Sequence, residues 1–420
     1  MMIKKSERKR EEKEQITKQP VFNIGIVGHI DHGKTTLLHR LTGKWADTHS
    51  EELKRGITIK LGYADCIIRK CPKCKTYNYT TQKECKCGGK SEPIKYVSFV
   101  DAPGHEMLMA TMLSGAAIMD AAILVIAANE SCPRPQTKEH LIALEAKGIN
   151  NIIIIQNKVD LVTKEQALEN YKQIKEFIKG TIAENSKIIP ISAQQSINLD
   201  LLLEAIDKIE IPKRDVKSKP IFFIARSFDI NKPGILSDEF KGGVIGGILK
   251  QGTLKVGQEI EIKPGVSEKK HDEVKYHTVK TKILSLYSGN NKLEEAIPSG
   301  SLAIQTSLDP RLTKTDKLSG CTASLTGILP ELTDKIKMKV DLFKNVVGAK
   351  KETKVEEIRP PELLLLSINT AISVGIVKRS VKGEVDLVLK IPIVPLKDSK
   401  IGIARNIEGK WRLIGSGILI

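Results

Sequence analysis

The chain has 420 residues, more than one hydrophobic core usually organises, so two or three domains are expected. Hydrophobic residues make up 40% of it, and no apolar run reaches the roughly 18 residues that a membrane-spanning helix needs, which argues against a membrane protein. The formal net charge of +17 favours partners that carry many phosphates, although a solvated basic surface would explain it as well.

The first twenty residues are rich in charged side chains and contain no apolar stretch like that of a secretion signal. We interpret residues 1–20 as a disordered lead-in of mixed basic and acidic character. Since nothing in this segment suggests secretion, we expect the protein to be cytoplasmic.

The segment 21–211 alternates apolar, strand-like runs with stretches of helical periodicity. The predicted strands are Val21–Val27, Tyr96–Val100, Ala121–Ala127, Ile152–Gln156 and Ile188–Ile191. The clearest helix begins after Thr163, with Gln166 as the partner in a capping box. Strands that alternate with helices predict an α/β domain with a doubly wound, mostly parallel sheet.

A phosphate-binding motif lies between the first predicted strand and a helix. Residues 28–35 read GHIDHGKT and match G-x-x-x-x-G-K-[ST]. Backbone N–H groups of such a loop wrap the phosphates, the lysine approaches the β- and γ-phosphates, and the threonine hydroxyl binds Mg²⁺. The residues predicted to contact the nucleotide here are Asp31, His32, Gly33, Lys34, Thr35 and Thr36.

Three further residues are candidates for the γ-phosphate side of the site. Asp101 begins a D-x-x-G segment after a predicted strand and suits an outer-shell contact to Mg²⁺, while the Gly104 N–H can contact the γ-phosphate; this pattern is also a common turn. Thr58 lies between the two motifs. Its hydroxyl could bind Mg²⁺ only while the γ-phosphate is present, and it fits equally well a turn that enters a strand.

Position 105 carries the candidate catalytic residue. Small signalling GTPases have a glutamine directly after D-x-x-G that orients the attacking water, whereas this chain has His105. An imidazole can position or polarise that water. The segment also fits a surface turn.

The base is assigned by the segment Asn157-Lys158-Val159-Asp160, which follows another predicted strand. The Asp160 carboxylate can accept hydrogen bonds from N1–H and the 2-amino group of guanine, a pair of donors that adenine lacks. Ser192, Ala193 and Gln194 follow the next strand and could complete the pocket. The ordered set of motifs predicts GTP as the nucleotide.

Four of the seven cysteines form two close pairs, Cys71 with Cys74 and Cys85 with Cys87. An odd total and such spacing favour a metal over disulfides. Four thiolates leave no open coordination position, so we expect structural Zn²⁺; reduced thiols or two disulfides are the alternatives. The loop is too short for a core of its own, so the metal would supply much of its folding energy.

After Ile209 the helical periodicity disappears, and Gly and Pro turns separate short β-rich runs, which predicts small β-barrels. The clearest runs are Ile221–Ala225, Gly243–Ile248, Lys280–Leu286, Ser301–Gln305, Ile336–Val340 and Glu362–Ser367. We therefore expect an α/β P-loop GTPase domain over 21–211 with a four-cysteine insert at 66–95. Two β-barrel domains, 218–329 and 330–420, would follow it.

The segments GHIDHGKTT, DAPGH and NKVD resemble the translational GTPases. The cysteine insert, Arg226–Gly234 and Glu51–Asp65 are similar, more specifically, to the gamma-subunit family of archaeal and eukaryotic translation initiation factor 2. This resemblance implies a GTPase domain followed by two β-barrels. It also implies His105 as the residue that orients water. Together with Lys34, whose charge the phosphate-loop motif directs to the β- and γ-phosphates, His105 makes up the predicted catalytic set.

Two finer features are implied by the resemblance alone. One is an apolar gate beside the catalytic histidine, made by Ile30 and Ile57. The other is a second magnesium ion near Asp31 and the Gly56 carbonyl.

The resemblance also implies a function. The protein would hydrolyse GTP, bind methionylated initiator tRNA and deliver it to the small ribosomal subunit as one chain of an alpha-beta-gamma trimer. One alternative is a carrier of elongator aminoacyl-tRNA like elongation factors of the Tu and 1A type, which share the GTPase motifs but lack a four-cysteine insert at this place. Another is a zinc-stabilised scaffold that binds GTP without turnover.

Overall fold

The computed structural model describes residues 18–45, 58, 60–105, 108–231, 234, 241–271, 273–346 and 353–420. The predicted lead-in of residues 1–20 lies almost wholly outside this part. The described chain divides into two compact units. One contains the residues up to Met112 together with Met119–Pro212, and the other contains Leu113–Ile118 together with Lys213–Ile420.

Up to Pro212 the strands are β1 (Asn23–Gly28), β2 (Gly62–Lys70), β3 (Tyr79–Thr80), β4 (Glu92–Asp101), β5 (Ala121–Ala127), β6 (Asn151–Asn157) and β7 (Ile188–Pro190). The helices are α1 (Lys34–Thr42), α2 (Met109–Ala116), α3 (Pro135–Lys147), α4 (Lys164–Ile178) and α5 (Leu199–Asp207), with a 3-10 turn at Val159–Leu161. The strands form one sheet in the order β3-β2-β4-β1-β5-β6-β7. Strands β4, β1, β5, β6 and β7 are parallel. Strand β2 pairs antiparallel with β4, and β3 pairs antiparallel with β2 at the edge of the sheet.

Side-chain alternation along the strands gives the sheet two buried faces. On one face Ile24 and Ile26 pack in a cluster with Leu38 of α1 and Leu202 of α5. On the other face the Gln156 amide donates a 2.9 Å hydrogen bond to the Asn170 side chain of α4. Helices on both faces confirm the predicted doubly wound architecture.

The capping box predicted for α4 is present. The Gln166 N–H donates to Thr163 Oγ1 over 3.3 Å, and the Thr163 N–H donates to Gln166 Oε1 over 2.9 Å. These two bonds satisfy amides that the first turn of a helix leaves without partners, so the helix begins where the sequence indicates.

From Lys213 onward the described elements are almost entirely strands. They are β8 (Ile221–Phe228), β9 (Val244–Gln251), β10 (Leu254–Lys255), β11 (Glu259–Lys270), β12 (Glu273–Ser288), β13 (Asn291–Leu293), β14 (Glu295–Ala296), β15 (Leu302–Thr306), β16 (Thr322–Leu325), β17 (Thr333–Leu342), β18 (Leu363–Ile368), β19 (Ala371–Val381), β20 (Glu384–Ile393), β21 (Lys400–Ile407) and β22 (Lys410–Leu419). A short helix α6 (Pro310–Thr313) and a 3-10 turn (Lys314–Asp316) precede β16.

These strands build two barrels, as predicted. In the first, the order β11-β16-β8-β9-β15-β12 is closed into a ring by the pairing of β11 with β12, and β13 extends β12. The second is the closed barrel β17-β20-β19-β18-β21-β22. Each has its own buried cluster, around Ile245 and Ile262 in the first and around Met338 and Ile403 in the second. Closure removes the exposed strand edges that open sheets leave.

The longest helix among the described residues is α4, with 15 residues. None of the described helices meets the length and apolar character that a membrane crossing requires.

Candidate functional site

Parallel strands β1, β4, β6 and β7 end at the same edge of the sheet, and a predicted motif follows each of them. The phosphate loop follows β1, the D-x-x-G segment follows β4, Asn157 closes β6, and Ser192 lies just beyond β7. Ligands of open α/β sheets bind outside this edge, because loops from neighbouring strands converge there. The fold therefore brings the predicted motifs together.

The phosphate loop depends on backbone conformations that favour glycine. Gly28 has φ 141° and Gly33 has φ 90°, while Asp31 adopts φ 58° between them. A Cβ on Gly33 would stand 2.3 Å from the Asn157 Nδ2 atom, so a side chain there would displace the base-side loop. Gly33 then leads into α1, whose first N–H groups point toward an incoming anion.

Lys34 is 7% exposed, and its ammonium donates a 2.7 Å hydrogen bond to the His29 carbonyl across the loop. Gly104 approaches it closely, since a Cβ at position 104 would lie 2.6 Å from Lys34 Nζ. The absence of a side chain therefore lets the D-x-x-G segment reach the lysine. This arrangement brings the Gly104 segment against Lys34 of the phosphate loop.

A cavity of about 490 Å³ opens over the phosphate loop. Its described lining residues are Ile30, Asp31, Gly33, Lys34, Thr35, Thr36, Trp45, Thr58, Gly104, His105 and Lys158. The volume falls within the range of roughly 300–1,000 Å³ that is usual for small-molecule sites. Polar groups and one buried ammonium dominate the lining, which suits a polyphosphate.

Three oxygen-bearing side chains meet at the start of α1. Thr35 Oγ1 donates to Asp101 Oδ2 over 3.0 Å and lies 3.4 Å from Thr58 Oγ1. Adjacent oxygen ligands of an octahedral Mg²⁺ stand about 2.9 Å apart. The spacing of these side chains therefore fits Mg²⁺, an ion that prefers oxygen ligands. Asp31 lines the same cavity, and Gly56 lies outside the described residues.

His105 is half-buried and lines the cavity next to Gly104. Ile30 also lines it. The other member of the predicted apolar gate, Ile57, lies outside the described residues.

On the base side, Asn157 ties two loops together. Its Nδ2 donates to the His32 carbonyl over 2.8 Å, and its Oδ1 accepts from the Ala193 N–H over 3.0 Å. Lys158 adopts φ 64° and lines the cavity, whereas Asp160 is exposed in the 3-10 turn that follows. The Asp160 carboxylate is therefore accessible to a base placed beyond Lys158.

Two hydrogen bonds hold the loop of Ser192 and Gln194 in place. Ser192 is buried and accepts at Oγ from the Gln195 N–H over 3.1 Å. The Gln194 carbonyl accepts a 3.0 Å hydrogen bond from the Arg40 guanidinium of α1. Neither Ser192 nor Gln194 lines the cavity over the phosphate loop. Both lie on the loop that follows β7, which Asn157 connects to the end of β6.

The motifs did not predict two residues that contribute to this site. The Gly28 N–H donates over 2.8 Å to Nδ1 of His140, a fully buried α3 residue whose burial lowers its pKa to about 3. Trp45 is 57% exposed at the cavity and stacks on His39, with ring centroids 4.1 Å apart. No local pattern identifies His140, since it is 112 positions from its partner.

The four cysteines converge between β2 and β4. Their sulfurs all lie within 4.8 Å of one another, with Cys71 Sγ to Cys87 Sγ at 3.6 Å and Cys74 Sγ to Cys85 Sγ at 3.7 Å. The edge of a zinc–thiolate tetrahedron is about 3.8 Å, so the set fits Zn²⁺. A Cβ on Gly89 would stand 3.2 Å from Cys87 Sγ and 3.3 Å from Cys71 Sγ.

Two segments of the chain match models of known families. Residues 19–212 match "Elongation factor Tu GTP binding domain", and residues 334–419 match "Initiation factor eIF2 gamma, C terminal". The first match covers the sheet and the cavity above it, and the second covers the closed barrel from β17 to β22.

Curated relatives match nearly the whole chain. "Translation initiation factor 2 subunit gamma" of Methanocaldococcus jannaschii is 54% identical over 410 residues, which are 97% of this chain and 99% of the relative. The protein of the same name from Pyrococcus horikoshii is 53% identical over 405 residues, 96% of this chain and 98% of the relative.

Solved structures share the fold at lower identity. A bacterial selenocysteine-specific elongation factor, EF-Sec, superposes with a TM-score of 0.73 at 21% identity; the match covers 96% of this chain, which spans 58% of that protein. Elongation factor SelB from Methanococcus maripaludis, in complex with the GTP analogue GppNHp, gives 0.69 at 23% identity, covering 96% of this chain and 79% of that one. At these identities the likeness concerns the fold alone.

Proposed function

Since the chain belongs to the family of translation initiation factor 2 gamma subunits, and is thus a translation initiation GTPase, we propose that it carries methionylated initiator tRNA in its GTP-bound form. It delivers this tRNA to the small ribosomal subunit and releases it after hydrolysis. The contact of Thr35 with Thr58 carries the proposal. It links the phosphate loop to the segment before β2, and a link of that kind changes when the γ-phosphate leaves.

Residues of the cavity and of the base-side loop have separate roles. Lys34 places a positive charge against the β- and γ-phosphates, and the Gly104 N–H faces the γ-phosphate. His105 orients the attacking water from the cavity wall. Asp160 accepts the two guanine donors, while Asn157 holds the base-side loop against the phosphate loop.

Three metal ions, two of magnesium and one of zinc, complete the proposal. Thr35, Thr58 and, in an outer-shell role, Asp101 would hold Mg²⁺, which when bound neutralises charge on the β- and γ-phosphates. Asp31 and the Gly56 carbonyl would serve a second magnesium. The four cysteines would hold Zn²⁺ in a closed, structural site.

The chain would act in the cytoplasm, with alpha and beta subunits of the same factor. We further propose a GTPase domain over 21–211 with its insert at 66–95, and barrel domains over 218–329 and 330–420. Three separate buried clusters, one for each proposed domain, support these limits.

Competition between two tRNAs tests the substrate. The GTP-loaded protein, combined with its two partner subunits, is titrated with methionylated initiator tRNA against methionylated elongator tRNA. We expect the factor to bind the initiator tRNA clearly more tightly than the elongator tRNA. Equal affinity for both would favour a general carrier of aminoacyl-tRNA instead.

A further inference from the structure

Trp45 places a large aromatic ring at the edge of the nucleotide cavity, and none of the sequence motifs accounts for it. Its side chain lines the cavity and is 57% exposed. The imidazole of His105 is the only other ring among the described lining residues. A large aromatic surface left open beside a ligand cavity gains apolar burial when a ligand covers it.

The turn after α1 holds Trp45 in this position. Gly43 ends the helix with φ 72°, and its N–H donates to the His39 carbonyl over 2.7 Å. This left-handed residue reverses the chain, and the Trp45 indole stacks on the His39 ring, with centroids 4.1 Å apart and ring planes at 15°. Lys44 pairs with Asp65 of β2 over 3.3 Å. These contacts orient the indole before a ligand arrives, which lowers the entropic cost of binding against it.

The stacked pair lies on the side of α1 that carries contacts to the base-side loop. Residues three and four apart share a face of a helix, so Thr36, His39 and Arg40 lie on one side of α1. Thr36 lines the cavity, and the Arg40 guanidinium donates over 3.0 Å to the Gln194 carbonyl in the loop after β7. His39 is five residues beyond Lys34, about 7.5 Å along the helix. The indole is therefore displaced from the phosphate end of the site toward its base side.

We infer that the Trp45 indole covers the nucleoside of the bound guanine nucleotide, with His39 supporting the opposite face of the ring. This role rests on the proposed function, in which guanine lies beside Lys158 and Asp160. Lys158 lines the same cavity, so the nucleoside would lie within reach of both side chains. Loss of an aromatic side chain that stacks on a base weakens binding by about 5- to 100-fold.

A protein with a single tryptophan makes this contact visible. The chain has two tryptophans, so Trp411→Phe leaves Trp45 alone. Acrylamide quenching of its fluorescence is measured on the full chain with Mg²⁺, first freed of nucleotide and then with saturating GDP. We expect GDP to lower the quenching constant about threefold, because the open face of the indole becomes covered. Unchanged quenching at saturation would overturn the inference.

Affinity for GDP provides the second measurement. Trp45→Ala should weaken GDP binding at least about tenfold, whereas Trp45→Phe, which keeps an aromatic face, should stay within about threefold of wild type. Trp411→Phe, in β22 of the second barrel, is the matched control and should leave the affinity unchanged. Equal GDP affinity in Trp45→Ala and wild type would contradict the contact.

The same titrations separate this contact from the proposed nucleotide site. A wild-type chain that fails to bind GDP would count against the site and, with it, against the role of Trp45. Tight GDP binding that leaves Trp45 open to acrylamide would count against the role of Trp45 alone. Because GDP is the only ligand, the outcome does not depend on which tRNA the factor carries.

Discussion

At the scale of single residues, His140 connects a buried helix to the phosphate loop. Because the Gly28 N–H donates to His140 Nδ1, that nitrogen carries no proton, and the neutral ring has its proton on Nε2. Burial lowers the pKa of His140 to about 3, so the ring stays a neutral acceptor at physiological pH. The first amide of the loop is thereby satisfied without a water molecule.

Removing this acceptor should destabilise the protein. We expect His140→Leu to lower the free energy of unfolding by about 1–3 kcal/mol, the cost of a buried amide without a partner, and to weaken GDP binding. His140→Asn, whose carboxamide oxygen can take the place of Nδ1, should recover much of both losses. Denaturant unfolding and GDP titration measure them, with the exposed His277→Leu as control. Equal losses in the Leu and Asn variants would exclude the acceptor role.

The same residue predicts a dependence on pH. The pKa of His140 is about 3 in the folded chain against 6.5 for the ordinary side chain. Between these values the unfolded chain binds a proton that the folded chain does not, so folding stability falls as the pH drops below about 6.5. From about pH 7.5 to 5.5, wild type should lose more unfolding free energy than His140→Asn, at up to about 1.4 kcal/mol per pH unit. Parallel curves for the two proteins would contradict this assignment.

His105 supplies the sharpest prediction for catalysis. Replacing it with Ala should slow ribosome-stimulated, single-turnover GTP hydrolysis by about 10²- to 10⁴-fold, because a positioned acid–base group contributes a factor of that size. Affinity for GDP should remain, since His105 lines the cavity beside Gly104, where we propose that the γ-phosphate binds. An unchanged hydrolysis rate would remove His105 from the mechanism and would favour a scaffold whose turnover, if any, uses another group.

At the scale of elements, the cysteine loop is attached to the sheet by few contacts of its own. Strand β3 has two residues, which pair with Arg69 and Lys70 at the end of β2. The Tyr79 hydroxyl donates to Asp207 Oδ2 of α5 over 3.0 Å. The loop is too short and polar to build a core of its own, so the metal we propose would supply much of its stability.

Metal analysis tests this element. Freshly purified protein should contain about one zinc per chain, and Cys71→Ser combined with Cys85→Ser should abolish it. The matched control is Cys132→Ser, a cysteine outside the cluster, which should retain the metal. Hydrogen exchange should accelerate over the loop in the double variant while β5 stays protected. Protein purified without any zinc would refute the site.

The sequence predicted some elements closely and missed others, for physical reasons. Strand β5 was predicted over its observed residues, because a strand buried on both faces is a continuous apolar run. Strand β2 was not predicted as a strand of its own, since polar and small residues interrupt its apolar ones and it ends in Arg69 and Lys70. The motif residues around the cavity could be predicted from local spacing. His140 and Trp45 could not, because only the folded chain brings them to the loop.

At the scale of the whole molecule, a nucleotide site and two β-barrels belong to one chain, and the proposed activity requires them to communicate. A nucleotide changes the affinity for tRNA only if the tRNA binds one nucleotide-dependent state better than the other. The Thr35–Thr58 contact offers a place for that difference to begin. The net charge of +17 suits a partner rich in phosphates, and it makes the affinity dependent on salt.

The central claim is tested most directly by the affinity for methionylated initiator tRNA in two nucleotide states. The assembled factor is loaded with GppNHp or with GDP, both with Mg²⁺, and titrated at one fixed salt concentration. We predict binding at least about tenfold tighter in the GppNHp state, a difference of about 1.4 kcal/mol. Thr58→Ala should reduce that ratio toward one. Equal affinity of the wild-type factor in the two states would contradict the account.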